Sequence, residues 1–302
     1  MIYIAFSPRY NHPLPVGHRF PMSKYTRIPE QLIREGTYSS QNFFEPKLRG
    51  EDFISLVHSE GYIQKLKNNQ LSKAEERRLG FPFSQDLLKR EELICTGTTQ
   101  AALLALENGV SFNVAGGTHH AHRDFGEGYC IYNDIAVAAR YLLTHHEAQQ
   151  ILVVDLDVHQ GNGTASIFRN EPKVFTFSMH CQNNFPLRKA TSDLDIPLKH
   201  HTSDDEYLKI LRKQIPPLIE KVNPDFIFYQ SGVDILANDK IGRLNVSLDG
   251  CARRDRLVFE LAHRYKIPVT ASMGGGYAEN TDVIVEAHCN TYRIAKQIFL
   301  TS

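Results

Sequence analysis

Tryptophan is absent from this chain, and no apolar run approaches the ~18 residues that a membrane-spanning helix needs. Cysteine is scarce and unpatterned. Cys95, Cys130, Cys181, Cys251 and Cys289 are odd in number and form no C-x-x-C pair. That argues against a disulfide framework and against a structural zinc ribbon, and it fits a reducing, cytoplasmic setting. An excess of one charge is also missing: lysine plus arginine and aspartate plus glutamate number 34 each. A nucleic-acid binder would carry a basic surplus or stripe, so neither nucleic acid nor membrane is an expected partner. The charge run at residues 73–78 mixes signs and reads as a solvated helix face. Residues 1–6 lack the basic start and the length of a signal peptide. There is no repeat, low-complexity tract or linker, so one catalytic domain over residues 1–302 is expected.

What is present is a regular alternation. Residues 2–6 read as a first strand, and residues 7–21, with four prolines, as an ordered loop. Residues 24–108 are mostly helical by spacing, with helices expected over 51–58 and 84–108. Ser72 and Glu75 have the spacing of a capping box. From residue 110 strands at 110–115, 151–155, 174–179, 226–230 and 269–273 alternate with helices near 135–144, 164–168, 204–222, 249–265 and 282–299. Such alternation predicts a three-layer α/β fold, a mostly parallel sheet with helices on both faces. In sheets of that kind functional groups gather beyond the carboxyl ends of the strands. Each of those five strands is followed by unusual chemistry: His119-His120, then Asp155, Asp157 and His159, then His180, then Asp234, then Gly274-Gly-Gly-Tyr277.

The stretch from Ile151 to Gly163 concentrates this chemistry. Two acids and an imidazole at alternate positions, Asp155, Asp157 and His159, follow four buried-type apolar residues, and buried carboxylates are costly unless paired or holding a cation. A strand end whose acids merely cap the next helix is the plainer alternative. Asp157, His159 and Asp234 are the best metal ligands, because two carboxylates and one imidazole leave positions open for water and substrate. Two aspartates already neutralise a dication, so the water needs further help to lose its proton. His119 and His120 can supply it. An aspartate partner favours imidazolium and an asparagine partner a neutral ring. We therefore pair His119 with Asp155 as the cationic stabiliser and His120 with Asn162 as the base. Tyr277, on a glycine-rich loop, can donate to a developing oxyanion. Together these groups describe metal-assisted hydrolysis of an amide.

At this point the motifs carry a resemblance. Gly116-Gly-Thr-His-His-Ala121, Gly128-Tyr-Cys130 with Asn133-Asp134, residues 153–163, Phe185-Pro186, Gly232-Val-Asp234 and Gly274-Gly-Gly-Tyr277 are similar to the histone deacetylase and acetylpolyamine amidohydrolase superfamily, with its arginase-like fold. Gln160, Asn162 and the 272–277 ending look most similar to class IV and its bacterial relatives. The resemblance covers about residues 1–300. It implies Zn2+ or Fe2+ on Asp157, His159 and Asp234, with His119, His120 and Tyr277 as catalytic residues. It implies a channel of Gly128, Tyr129, Phe185, Gly275 and Gly276 for an acyl-lysine side chain. It further implies a structural K+ site drawing on Asp155, Asp157, His159, Ser178 and Met179, and it matches Arg19 to an arginine of an internal product channel. The expected substrate is an acyl-lysine protein or peptide, or an acetylated polyamine; oligomeric state is unknown. Two rivals stand beside this reading: a two-metal ureohydrolase on the same fold, and a non-catalytic acyl-lysine binder. His12, His18, His58 and His122 are expected at the surface or behind the site.

Overall fold

The structure, a computed structural model, describes residues 1–48 and 51–300. Eight strands form one sheet: β1 (Tyr3–Ala5), β2 (Phe43–Phe44), β3 (Val110–Asn113), β4 (Ile151–Asp155), β5 (Val174–Cys181), β6 (Leu194–Leu198), β7 (Phe226–Gln230) and β8 (Val269–Ser272). Their order is β2-β1-β3-β8-β7-β4-β5-β6, and every pairing is parallel. Nine α-helices lie among the described residues: α1 (Lys24–Arg34), α2 (Glu60–Lys67), α3 (Lys73–Leu79), α4 (Gln85–Asn108), α5 (Asp134–Thr144), α6 (Asn162–Phe168), α7 (Asp204–Val222), α8 (Leu248–Tyr265) and α9 (Thr281–Leu300).

The faces can be told apart on β3, where alternate side chains point opposite ways. The Ser111 hydroxyl donates to the Ala101 carbonyl of α4. Phe112, next in sequence, meets Phe259 of α8 and Tyr292 of α9. Helices therefore cover both faces, as the alternation of strand and helix predicts. Strands buried on both sides need continuous apolar runs, and Ile151–Val154 and Phe226–Tyr229 are buried throughout.

The differences lie at the edges. The sequence pattern predicts six strands, and the sheet adds β2 and β6. β2 is only two residues long, too short for any periodicity. β6 reads Leu-Asp-Ile-Pro-Leu, and Pro197 is tolerated because an edge strand needs no donor on its outer side. Residues 51–56 form a 3-10 turn rather than the expected α-helix. The capping box is present: Ser72 N–H donates to the Glu75 carboxylate at 2.8 Å, and Glu75 N–H to the Ser72 hydroxyl at 3.3 Å.

His58 is not at the surface. It is buried, and its Nε2 accepts the Asn133 N–H at 3.0 Å. Burial pushes the ring down to about 4, whereas an unfolded histidine titrates near ~6.5. Between those values the unfolded chain takes up a proton that the folded chain refuses. Stability is therefore lost as pH falls through that window, by about 1.4 kcal/mol per pH unit for one proton. His58→Gln keeps an acceptor for Asn133 and should flatten the slope of urea-unfolding free energy between pH 6 and 4.5 by about one proton. An unchanged slope would mean that His58 titrates normally in the folded protein.

Candidate active and metal site

Four neighbouring strands, β3-β8-β7-β4, carry the site on the loops after their carboxyl ends. Because strands sit only about 4.8 Å apart, residues far apart in sequence converge. Asp157 and His159 follow β4, and Asp234 follows β7. Candidate ligand atoms of these three all lie within 4.8 Å of one another, and all three residues are buried. His159 Nδ1 lies 3.1 Å from Asp157 Oδ1 and 3.1 Å from Asp234 Oδ2.

Backbone donors aim the carboxylates. Asp234 Oδ1 accepts the Val158 N–H at 2.9 Å, which leaves Oδ2 facing the cluster. Asp157 Oδ2 accepts the Gly275 N–H at 2.8 Å. That approach requires glycine, since a Cβ on Gly275 would stand 1.9 Å from Asp234 Oδ2. Arg254, wholly buried on α8, donates to the carbonyls of Leu156, Ser231 and Gly232, so it ties the β4 and β7 loops together.

The cluster fits a divalent cation. Burial, and then the charge of Asp157, pushes the Asp234 carboxyl up to about 7. Two enclosed carboxylates and an imidazole with converging lone pairs are relieved by a cation, and metal bonds of about 2.0–2.2 Å suit donors about 3 Å apart. Among the described residues this is the one such cluster of histidine, cysteine and acidic groups.

His119 and His120 lie on the loop after β3 with ring centroids 4.1 Å apart. His119 Nδ1 lies 2.7 Å from Asp155 Oδ2. Burial alone would lower this ring, but the Asp155 and Asp157 carboxylates raise it to about 9. His120 Nδ1 lies 2.7 Å from Asn162 Oδ1. Its ring is held well below its ordinary value by burial and then by His119 and His159.

Glu127 settles which way the Asn162 amide points, a role that no sequence signal flags. Asn162 Nδ2 donates to Glu127 Oε1 at 2.6 Å, so Oδ1 remains to accept the His120 Nδ1 proton. His120 Nε2 is then the unprotonated nitrogen. His122 stands behind the site, 3.0 Å from the same amide nitrogen.

Tyr277 is half-buried, and its N–H donates to Asp239 at 2.6 Å. Its phenol is pushed well above its usual value by burial and by Asp234 and Asp157. Beneath it lies Lys24, a buried cation that sequence reasoning left unremarked. Lys24 Nζ donates to the Gly274 carbonyl at 3.0 Å and sits 5.8 Å from the Tyr277 ring centroid. Burial draws it down to about 8, against the pull of Asp234 and Asp157. A lysine at the start of a helix gives no sequence signal of such a position.

A hollow of about 240 Å³ leads from the surface to these groups, lined by Gly128, Tyr129 and Phe185 with His120, His159 and Tyr277 at its floor. The Phe185 ring meets His120 edge-on at 4.8 Å. Gly128 has φ +57°, and a Cβ there would sit 2.8 Å from the His120 ring. Gly276 faces the other way, toward Val233 and Ile284, and the glycines beside the metal cluster are Gly274 and Gly275.

Arg19 is exposed in a neighbouring hollow with Lys240 and Glu279. His18 Nε2 lies 3.0 Å from the Gly80 carbonyl, which holds this segment on the outside, while Phe20 turns inward. The guanidinium that lines the small interior cavity behind the floor is that of Arg90. Asp155 and Ser178 are register partners across β4 and β5, with Met179 next along, and the Ser178 hydroxyl lies 3.0 Å from His180 Nδ1.

The all-parallel sheet with helices on both faces and a buried Asp-His-Asp cluster at its carboxyl edge define an α/β protein of the arginase/deacetylase kind. Residues 18–292 match the model of the histone deacetylase domain, and the chain belongs to that family. It is 41% identical over 296 residues to an uncharacterized protein of Picosynechococcus sp., covering 98% of this chain and 99% of that one. It is 27% identical to Histone deacetylase 2 of Arabidopsis thaliana over 277 residues, 89% of this chain and 72% of that protein. It is 26% identical to the acetoin utilization protein AcuC of Staphylococcus aureus over 281 residues, 86% of this chain and 72% of that protein. Membership of this family supports a hydrolase. Among the described residues no helix is long and apolar enough to cross a membrane.

Proposed function

We propose that the chain, as one catalytic domain, is a metal-dependent deacylase that hydrolyses the amide of an acyl-lysine side chain. The observation that carries this reading is the convergence of the Asp157–His159–Asp234 cluster, a neutral His120 and the Tyr277 phenol at the floor of one narrow hollow. Zn2+ or Fe2+ held by the three ligands would supply Lewis acidity toward the water and the amide carbonyl.

The protein's own residues do the rest. His120 Nε2 takes the proton of the attacking water and later returns it to the leaving amine. Its Nδ1 stays anchored on Asn162, whose amide is oriented by Glu127. His119, charged by its contact with Asp155, offsets negative charge as the tetrahedral carbon forms. Tyr277 donates its hydroxyl proton in a hydrogen bond to the carbonyl oxygen. Gly128, Tyr129 and Phe185 hold the aliphatic stem and exclude water. Arg90, behind the floor, offers a cation to the carboxylate product. A structural K+ would draw on Asp155, Asp157, His159, Ser178 and Met179.

Neutral Gln160 and Asn162 favour the class IV resemblance over a ureohydrolase. Gln160 Nε2 donates to the Ala190 carbonyl and to Asp195, so it serves structure and leaves no acid for a second metal. An acetylpolyamine deacetylase on the same fold is the alternative. The test is hydrolysis of acyl-lysine peptides of graded chain length, with acetylpolyamines alongside and with and without chelator. Acyl-lysine hydrolysis lost on chelation and restored by a divalent ion is expected. No hydrolysis of any acyl-lysine by the metal-loaded protein would contradict the reading; turnover of acetylpolyamines alone would then favour the alternative, and turnover of neither substrate the non-catalytic binder.

A further inference from the structure

The walls of the hollow are unequal in charge. Arg77 and Arg78, at the end of α3, line its mouth, and no carboxylate does. The acids of the same helix face elsewhere: Glu75 pairs with Lys65 and caps Ser72, and Glu76 does not line the hollow. A second hollow of about 630 Å³ shares Tyr129, Ile241 and Tyr277 with the first, and its charged walls are Arg19, Lys240 and Glu279. Lys240 and Glu279 stand 3.4 Å apart with side chains 57% and 87% exposed, a loose pair. The two hollows together therefore present four cations, Arg19, Arg77, Arg78 and Lys240, against one carboxylate, Glu279.

The arginines belong to the channel wall. The Arg78 carbonyl accepts the Gly128 N–H at 3.1 Å, and the Leu79 carbonyl accepts the Tyr129 N–H at 2.8 Å. The Arg78 guanidinium is stacked 4.3 Å from the Phe125 ring centroid. The end of α3 is thus stapled to the residues that grip the substrate stem. The segregation is local, because the chain as a whole carries 34 charges of each sign. Residues 73–78, which the sequence presents as a solvated face, deliver two exposed arginines to the point where a substrate's flanking residues must pass, Arg78 lying also within electrostatic reach of Glu127.

We infer that this mouth selects acyl-lysines flanked by carboxylates, as in an acidic peptide segment, and disfavours cationic substrates. The inference rests on the acyl-lysine reading above. Single exposed ion pairs contribute little, but a ring of like charge at a cleft raises the local concentration of the opposite charge and suppresses the wrong partner. The free amines of an acetylpolyamine, which keep their protons at neutral pH as a lysine does, meet repulsion there, and so does a lysine-rich tail.

The experiment uses the metal-loaded protein and acetyl-lysine peptides matched except for flanking Asp/Glu, Ala/Ser or Lys/Arg, with N-acetylspermidine alongside. The expected kcat/KM order is acidic, neutral, basic, with a spread of about tenfold at low salt that shrinks to within about threefold near 1 M salt. In the double variant Arg77→Glu, Arg78→Glu the order should invert. A flat or reversed order in the wild type, a spread that salt does not change, an order unaltered by the double variant, or N-acetylspermidine outpacing the acidic peptide would overturn the inference. Turnover of the neutral peptide with a flat order would sink this inference alone. Turnover of none of the peptides would sink the acyl-lysine reading, and this inference with it.

Discussion

Replacing His120 by alanine is expected to lower kcat by about 10³-fold, within the range of roughly 10²–10⁴ that a positioned general base contributes. The metal content should stay unchanged, because His120 is not among the three clustered ligands. The asymmetry between the two histidines makes the prediction sharp. His120 leans on a neutral amide and is held unprotonated by burial, His119 and His159. His119 leans on a carboxylate and carries a proton to about pH 9. A proton acceptor must have an unprotonated lone pair available, so His120 can take a proton and His119 contributes charge. Kinetics with metal content measured on the same preparation check this. A His120→Ala enzyme within tenfold of wild type would mean that another group removes the proton.

Tyr277→Phe is expected to lower kcat by about 10²–10³-fold, the cost of removing one oxyanion donor, with little change in KM. The ring would still pack near Phe20 and Tyr129, whose centroids lie 5.9 and 6.1 Å from it. The backbone anchor of Tyr277 on Asp239 would also survive, since it uses the N–H. What is lost is a phenol that burial and the neighbouring acids keep protonated, and hence a donor at every working pH. A fall in kcat matched by no loss of folded protein supports the role; unchanged turnover contradicts it.

How legible these features are in the sequence depends on how local their signals are. Asp157, His159, Asp234, His119, His120 and Tyr277 each stand just after an apolar strand, and a parallel sheet brings such positions together. The His119–Asp155 and His120–Asn162 contacts follow from charge matching alone, and the structure contains both pairs. Lys24 and Arg90 are invisible at that level. Each is a charged residue in a helical stretch, and only tertiary packing turns them inward. Glu127 is missed because its task is to orient an amide, which leaves no spacing to read. β2 and β6 are missed for want of length and because of Pro197, and Arg19 is misassigned because His18 holds its segment on the outer surface.

The deacylase reading turns on one divalent cation held by Asp157, His159 and Asp234. It is tested most directly by titrating chelator-treated protein with Zn2+ or Fe2+ while following bound metal and acyl-lysine hydrolysis together, in wild type and Asp234→Ala. We expect activity to rise in step with binding and to saturate near one ion per chain, with both signals lost in the variant. Hydrolysis by the metal-free protein, or a requirement for two ions per chain, would contradict the account.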